Sequence, residues 1–276
     1  MIPLSGLGTQ MSLKLVDATR DRQMQSIERS PVHARAITSF RERIADVQTV
    51  DQLIEDQELY AFVMRTYDLE DQIFGKAMMK KVLESDIDDR TALVNRLTDP
   101  RIRDLYKGMG FETVDGKTTS SNTLDPAWQE AMIDRYLDRQ FINAQAEQSE
   151  TVGIALEVRQ KAGEIGSWLD VLKDRDVSSF FRTALGLPDS MVQLDVDRQA
   201  ALFARKFDIE KLQDPKELEK LTRKYAAIAD AKGGTAVAGN AAVQLMQGAV
   251  SAGNGGAFVP ITLDITAITA LPRRTY

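Results

Sequence analysis

Apolar residues along this chain recur mostly at three- and four-residue spacing, and one such pattern occurs twice. Val50–Asp71 and Trp168–Asp189 align without a gap, 118 residues apart. Leu53 and Ile54 answer to Val171 and Leu172, Leu59 to Val177, Phe62 and Val63 to Phe180 and Phe181, and Leu69 to Leu187. Spacing of i, i+3 and i+4 within each copy predicts one helix face. Asp56 and Asp174 stand just before those faces, where a carboxylate can accept the unpaired amides of a helix start. Gly186-Leu187-Pro188 predicts the stop: a left-handed cap, an apolar residue folding back, and a proline that forbids continuation. In the first copy Asp68 takes the glycine's place, and aspartate tolerates that conformation better than most residues. The matching positions are apolar or capping. Such a repeat packages a core.

Each copy continues in kind. Phe74, Ala77, Met78 and Val82 predict a second face in the first, and Ala200, Ala201 and Ala204 in the second. Both then reach an Asp-Pro pair, Asp99-Pro100 and Asp214-Pro215, a strong helix start. Glu217 is placed to complete a capping box. Six residues separate Asp208 from Asp214 where thirteen separate Asp86 from Asp99, so one short helix is abbreviated in the second copy. Before the repeat, Ser30-Pro31 opens a helix carrying Ile37, Phe40, Ile44 and Val47. Between the copies, Asp125-Pro126 opens the longest helical region, with Trp128, Met132 and Tyr136 and then Val152, Ala155 and Leu156 on a buried stripe. A break is expected between Gln145 and Ser149. Around Asp115-Gly116 the rhythm changes to that of a two-residue hairpin spanning 112–119.

The expected fold is therefore mainly α: two similar helical units, about 49–109 and 167–232, joined by a long helical spine over 126–166. A loop of 110–125 carries the hairpin. Residues 1–29 read as a mobile N-terminal arm and 30–232 as the helical body. From 233 to 276 the composition shifts to Ala, Gly, Val, Asn and Gln, which predicts a flexible tail. Within it Ile261, Leu263 and Ile265 alternate with polar residues, the period of a half-buried strand. That strand has no evident ladder, so these three residues are the candidate partner-binding positions, through an added strand or one buried apolar face. Two tails pairing with each other would make a homo-oligomer.

At these residues the chain resembles the alphaproteobacterial family called domain of unknown function 1217. The resemblance is carried by Tyr67-Asp68-Leu69 and Leu185-Gly186-Leu187, by Lys81-Val82-Leu83-Glu84-Ser85-Asp86, by Asn95-Arg96-Leu97-Thr98-Asp99 and by Tyr136-Leu137-Asp138-Arg139-Gln140-Phe141. It covers roughly residues 40–230. At Ile142 the chain departs from the family, which usually has an acidic residue there. The resemblance implies a helical unit in one or more copies and frequent placement among flagellar genes. It implies no enzyme activity and no catalytic residues.

Composition narrows the chemistry. The 276 residues include no cysteine, which removes disulfides, thiolate nucleophiles and cysteine metal sites. A net charge of −6 argues against a nucleic-acid partner, for which a basic stripe is expected. No apolar run approaches the roughly 20 residues that span a bilayer. The start, MIPLSGLGTQMSLKL, lacks the pattern of a secretory signal, so a cytoplasmic protein is expected, or one exported to the flagellum without a classical signal peptide. His33 is the single histidine, so no two-histidine metal site or Ser-His-Asp triad is available, and it reads as a surface residue in a first helical turn. Gly116-Lys117-Thr118 matches the end of a phosphate-binding loop, but the glycine needed at 111 is Phe111. Asp86, Asp88 and Asp89, and Glu55, Asp56 and Glu58, do not fit a calcium loop and read as solvated caps. Met78 and Met79 read as core filler.

The expected function is a non-enzymatic structural or adaptor protein acting through protein contacts, in flagellar assembly or function by the resemblance, with no cofactor, catalytic or metal site. The alternative is a small-molecule-binding protein or hydrolase with a carboxylate-lined pocket between the two helical units, since carboxylates gathered by folding leave no linear motif.

Overall fold

Asp-Pro and Ser-Pro pairs open four helices at the predicted residues, and these set the frame of the computed structural model, which describes residues 2–114, 117–120 and 122–232. In chain order the helices are α1 Thr9–Glu28, α2 Pro31–Arg43, α3 Val50–Glu55, α4 Gln57–Thr66, α5 Lys76–Leu83, α6 Leu93–Arg96 and α7 Pro100–Met109. After strands β1 Glu112–Val114 and β2 Lys117–Thr119 come α8 Pro126–Ala146, α9 Glu150–Lys161, α10 Trp168–Lys173, α11 Arg175–Ala184, α12 Val196–Lys206 and α13 Pro215–Lys232. By internal contacts Met1–Ala231 is one compact unit. The expected tail, with Ile261, Leu263 and Ile265, lies outside the described residues.

Local elements recur at the offset of 118. Helix α3 is capped by Thr49, which shares a reciprocal capping box with Gln52, and α10 by Ser167, whose hydroxyl accepts from Asp170 N at 3.2 Å. Asp56 Oδ1 accepts from the amides of Glu58 and Leu59, both at 3.1 Å; Asp174 Oδ1 accepts from Asp176 and Val177 at 3.0 and 3.1 Å. Both α4 and α11 end in a left-handed residue, Asp68 at φ 59° and Gly186 at φ 64°. The next amide then reaches back to close the turn, Leu69 N to Met64 O at 2.8 Å and Leu187 N to Arg182 O at 2.9 Å. Leu69 and Leu187 are both buried, as the fold-back of a helix stop requires. Ahead of its Asp-Pro pair the first copy has the short helix α6, and the second has the 3₁₀ turn Ile209–Gln213.

The spine is a helical hairpin. Helix α8 ends at Ala146 and α9 starts at Glu150, the break expected from the sequence. The two pack on each other along their length; α8 also packs on α4 and α9 on α11, so each helical unit has its own side of the hairpin. Gly153 permits this close approach, because a Cβ there would meet Ala146 Cβ at 2.4 Å. Strands β1 and β2 pair antiparallel with Glu112 opposite Thr119, and Thr119 bridges back to Thr49.

Three expectations need correction. Residues 1–29 are not a detached arm: α1 packs on both α8 and α9, and Leu4, Leu13, Val16 and Ile27 are buried. Its buried face is Thr9, Ser12, Leu13, Val16, Gln23 and Ile27, half of them polar. Arg20 lies over the Phe141 ring at 5.0 Å and Gln23 accepts from Gln145 Nε2 at 2.9 Å. An apolar count misses a stripe filled in this way. Second, Phe74 is not core. It is 96% exposed, preceding α5, which starts at Lys76 and turns Met79, Val82 and Leu83 inward; of the expected face Val82 is buried, Met78 is partly buried and Ala77 is exposed. Similarly, Phe203, not Ala201 or Ala204, anchors α12, its ring stacked on Trp168 at 5.0 Å.

His33 is the third correction. It is half-buried, and its Nδ1 lies 2.8 Å from the Tyr136 hydroxyl on α8. Burial, then the nearby Arg65 charge, lowers its pKa below 6.5, so the ring is neutral at pH 7. Removing the ring leaves a hydroxyl on the buried Tyr136 without its partner, which costs about 1–3 kcal/mol. His33→Ala is thus expected to lower the urea midpoint measurably, and His33→Asn, which keeps a polar side chain, to lower it less. Equal midpoints for wild type and His33→Ala would show the bond contributes nothing.

Candidate functional site

Caps and helix stops, whose local role is to satisfy backbone amides, also supply the charges of a continuous network. It starts at Asp99, the N-cap of α7, whose Oδ2 lies 2.7 Å from Arg101 Nη2. The same guanidinium reaches Asp71 at 3.4 Å, donates to the Asp68 carbonyl and lies 3.6 Å from the Asp68 carboxylate. Asp68 Oδ1 is 3.3 Å from Nε of Arg139 on α8. Arg139 Nη2 meets Glu157 Oε2 on α9 at 3.0 Å, and Glu157 Oε1 meets Lys161 Nζ at 2.7 Å. Lys161 ends the series on Asp174 Oδ2 at 2.6 Å, the N-cap of α11. One string of charge therefore links the first helical unit to the second through the hairpin.

Burial is deepest in the middle, where the Arg139 and Glu157 side chains are 9% and 11% exposed. Burial alone would raise the Glu157 pKa. The hydrogen bond and charge of Arg139, with Lys161 behind them, outweigh it and hold the carboxyl at about 2. Burial likewise works against the Lys161 ammonium, but Glu157 and Asp174 keep its pKa above the ordinary value. Asp68 goes the other way: burial and the Glu157 charge raise it, although Arg139, Arg101 and Lys161 pull it down. Asp68 accordingly sits in a left-handed conformation where the second unit uses glycine. The pairing with two guanidinium groups explains why a carboxylate occupies that strained position.

The network lines a two-lobed cleft, one lobe lying between the first helical unit and the hairpin and the other reaching the second unit. One lobe, of about 360 Å³, is walled by Tyr67, Asp68, Arg135, Arg139 and Lys161. The other, of about 460 Å³, lies between α7 and the α10–α11 turn, with Arg101, Asp104, Lys107, Glu164 and Val177 on its walls. Arg101, Asp104, Lys161 and Glu164 line both. The floor carboxylates are committed to cations, which disfavours them as general bases. Asp104, Lys107 and Glu164, like Arg103, Asp134 and Arg135, have no ion pair among the described residues, so these are the cleft's available charges. The acidic runs noted in the sequence lie elsewhere and act locally: Asp86 and Asp89 accept from the amides of Asp88 and Thr91 at 2.9 and 2.8 Å, and Asp56 pairs with Arg43 at 2.7 Å. Among the described residues no His, Asp and Glu group of three or more is arranged to hold a metal ion, and no helix is long and apolar enough to cross a membrane.

Sequence reasoning missed Arg139 and Glu157 as network members. The available signal was a charge at a core-facing position: Arg139 follows Met132 and Tyr136 on the inner stripe of α8, and Glu157 sits between Leu156 and Val158.

Comparison with known proteins agrees with this architecture. The crystal structure of a protein from Agrobacterium tumefaciens is similar, with a TM-score of 0.72 and 28% sequence identity, over 81% of this chain and 94% of that one. No curated protein matches the sequence. A family model described as "Protein of unknown function (DUF1217)" matches residues 66–218, a stretch that includes both left-handed helix stops, the whole charge network and the hairpin that joins the two units. Since that match takes in more than half of its residues, the chain belongs to the DUF1217 family.

Proposed function

We propose that this protein is a non-enzymatic structural or adaptor protein that acts through protein contacts. The observation that carries the reading is Phe74, a phenylalanine 96% exposed at a turn held between two ordered elements. Leaving an aromatic ring in water forgoes stabilisation of about 1.5–3 kcal/mol, and a contact with a partner recovers it. Aromatic anchors are also what protein interfaces select. By the family resemblance those contacts serve flagellar assembly or function, in the cytoplasm or after export, with a flagellar component or another copy of this chain as the partner. Ile261, Leu263 and Ile265 are proposed as a second contact on their strand-like alternation alone.

Affinity capture with the full chain and with Phe74→Ser tests the reading. A specific companion protein should be retained by the wild type and lost by the variant, with unchanged melting temperatures. The second reading, a small-molecule binder or hydrolase, is favoured by the cleft of about 460 Å³ with its available charges. Saturable binding or turnover of a small molecule, abolished by Asp104→Asn with Glu164→Gln, would overturn the adaptor reading.

A further inference from the structure

Building on the protein-contact reading, we infer that the partner at Phe74 is a second copy of this chain, docked head to tail. The turn around Phe74 of one copy seats on the Val192–Val196 segment of the next.

The two faces occupy the same place in the two helical units. Phe74 stands one residue before Gly75, the N-cap of α5, and Leu194 one residue before Asp195, the N-cap of α12. Each follows a 3₁₀ turn, Glu70–Gln72 in the first unit and Asp189–Gln193 in the second. Both places expose apolar surface: Phe74 at 96%, and Val192, Leu194 and Val196 at 52%, 38% and 54%. One is a single protruding ring and the other a run of three shorter side chains, which suits a knob meeting a platform.

Their charges are opposite. Ala77 and Lys81 follow Phe74 at helical spacing, and both are exposed. Helix α5 carries Lys76, Lys80 and Lys81 and no acid before Glu84. Lys76 Nζ donates to the Ile54 carbonyl and Lys80 pairs with Asp51, so Lys81 is the cation left for a partner. Glu70 and Asp71, upstream of Phe74, are engaged by Arg65 at 2.9 Å and Arg101 at 3.4 Å. Beside the Val192–Val196 run stand Asp195 and Asp197, both exposed. Arg198 is the neighbouring cation, 3.9 Å from Asp195, which leaves Asp197 for Lys81.

Opposite faces on one body decide the geometry. A two-fold dimer through either face would set Lys81 against Lys81 or Asp197 against Asp197, a repulsive arrangement. A head-to-tail contact pairs ring with platform and lysine with aspartate. Made once per pair of copies, it leaves one face of each kind free and closes as a ring or continues as a filament, whereas a reciprocal pair using both faces at once would stop at a two-fold dimer. The contact is small, at the weak end of specific interfaces, and its affinity falls in the micromolar range or weaker.

Sedimentation of the full chain over a dilution series up to about millimolar concentration reads the outcome. The wild type should gain mass with concentration beyond a dimer. Phe74→Asp and Val196→Asp should each stay monomeric, with unchanged melting temperatures, because each has lost one face. Their equimolar mixture should form dimers and nothing larger, since each variant supplies the face the other lacks. Lys81→Glu should weaken assembly at least about tenfold, a loss of 1.4 kcal/mol, and adding Asp197→Lys should restore it. A wild type that stays monomeric, a mixture that stays monomeric, or a Phe74→Asp protein that assembles like the wild type would overturn the inference. A monomeric wild type that still captures another protein through Phe74 would leave the protein-contact reading standing and remove only self-docking.

Discussion

Phe180→Ala is expected to lower the unfolding free energy by about 3–5 kcal/mol, and Phe62→Ala by a similar amount. Each ring is buried at the centre of an aromatic cluster. Phe62 is stacked between Phe40 at 4.3 Å and Tyr136 at 4.4 Å; Phe180 stacks on Tyr225 at 4.5 Å and meets Phe181 edge-on at 5.5 Å. Truncation removes the transfer free energy of the ring, leaves a cavity walled by other rings that relax poorly, and breaks two aromatic pairs worth about 0.5–1.5 kcal/mol each. Phe62 and Phe180 stand 118 residues apart, one per unit, so comparable losses are expected if both units use the position in the same way. Urea unfolding monitored at both tryptophans, Trp128 beside the first unit and Trp168 in the second, measures this. The midpoint should fall with the slope unchanged. A loss below about 1 kcal/mol at either site would place it outside the range of buried aromatic deletions and argue that its cluster is loosely packed.

The elements that sequence made legible are those whose signal is local. Asp56 and Asp174 cap where their position before an apolar face demands it, and Gly186 adopts the left-handed turn that Gly-Leu-Pro predicts. The hairpin at 112–119 and the break after Ala146 follow from a change of period. What stayed hidden needed knowledge of the neighbour. Helix α1 looked too charged to pack, because nothing in its own sequence shows that Arg20 would lie over Phe141 or that Gln23 would find Gln145. Phe74 looked like core since a phenylalanine on a helical pattern usually is, but α5 starts only at Lys76, and Phe74, ahead of its cap Gly75, stands in solvent. The cleft could be named only as a possibility, as its floor is assembled from Asp68, Arg101, Arg139, Glu157 and Asp174, which span more than a hundred residues of chain.

Arg139→Ala is expected to be as costly as an emptied core site, about 3–5 kcal/mol, for a different reason. The guanidinium neutralises both Asp68 and Glu157, and its removal leaves Glu157 buried with Lys161 as its remaining cation and Asp68 with Arg101 alone. A buried carboxylate left with one cation where it had two, more than the lost bond itself, makes up most of that figure. Replacing both partners by apolar residues of similar size, Arg139→Met with Glu157→Leu, should therefore recover much of the loss, whereas additive damage in the double variant would show that the pair itself stabilises. Acid probes the same network. Glu157 is held at about 2 in the folded chain against an ordinary value of 4.5, so its contribution is fully present above 4.5 and is lost as pH falls toward 2. Two and a half pKa units correspond to roughly 3 kcal/mol. Asp68 opposes this: its raised pKa makes the ionised carboxylate a cost to the folded state, relieved as pH falls through the raised value toward 3.8. Wild-type stability should thus drop between pH 4.5 and 2 by more than in the Arg139→Met, Glu157→Leu variant. Parallel pH profiles for the two proteins would mean that acid unfolding is governed by carboxylates outside the network.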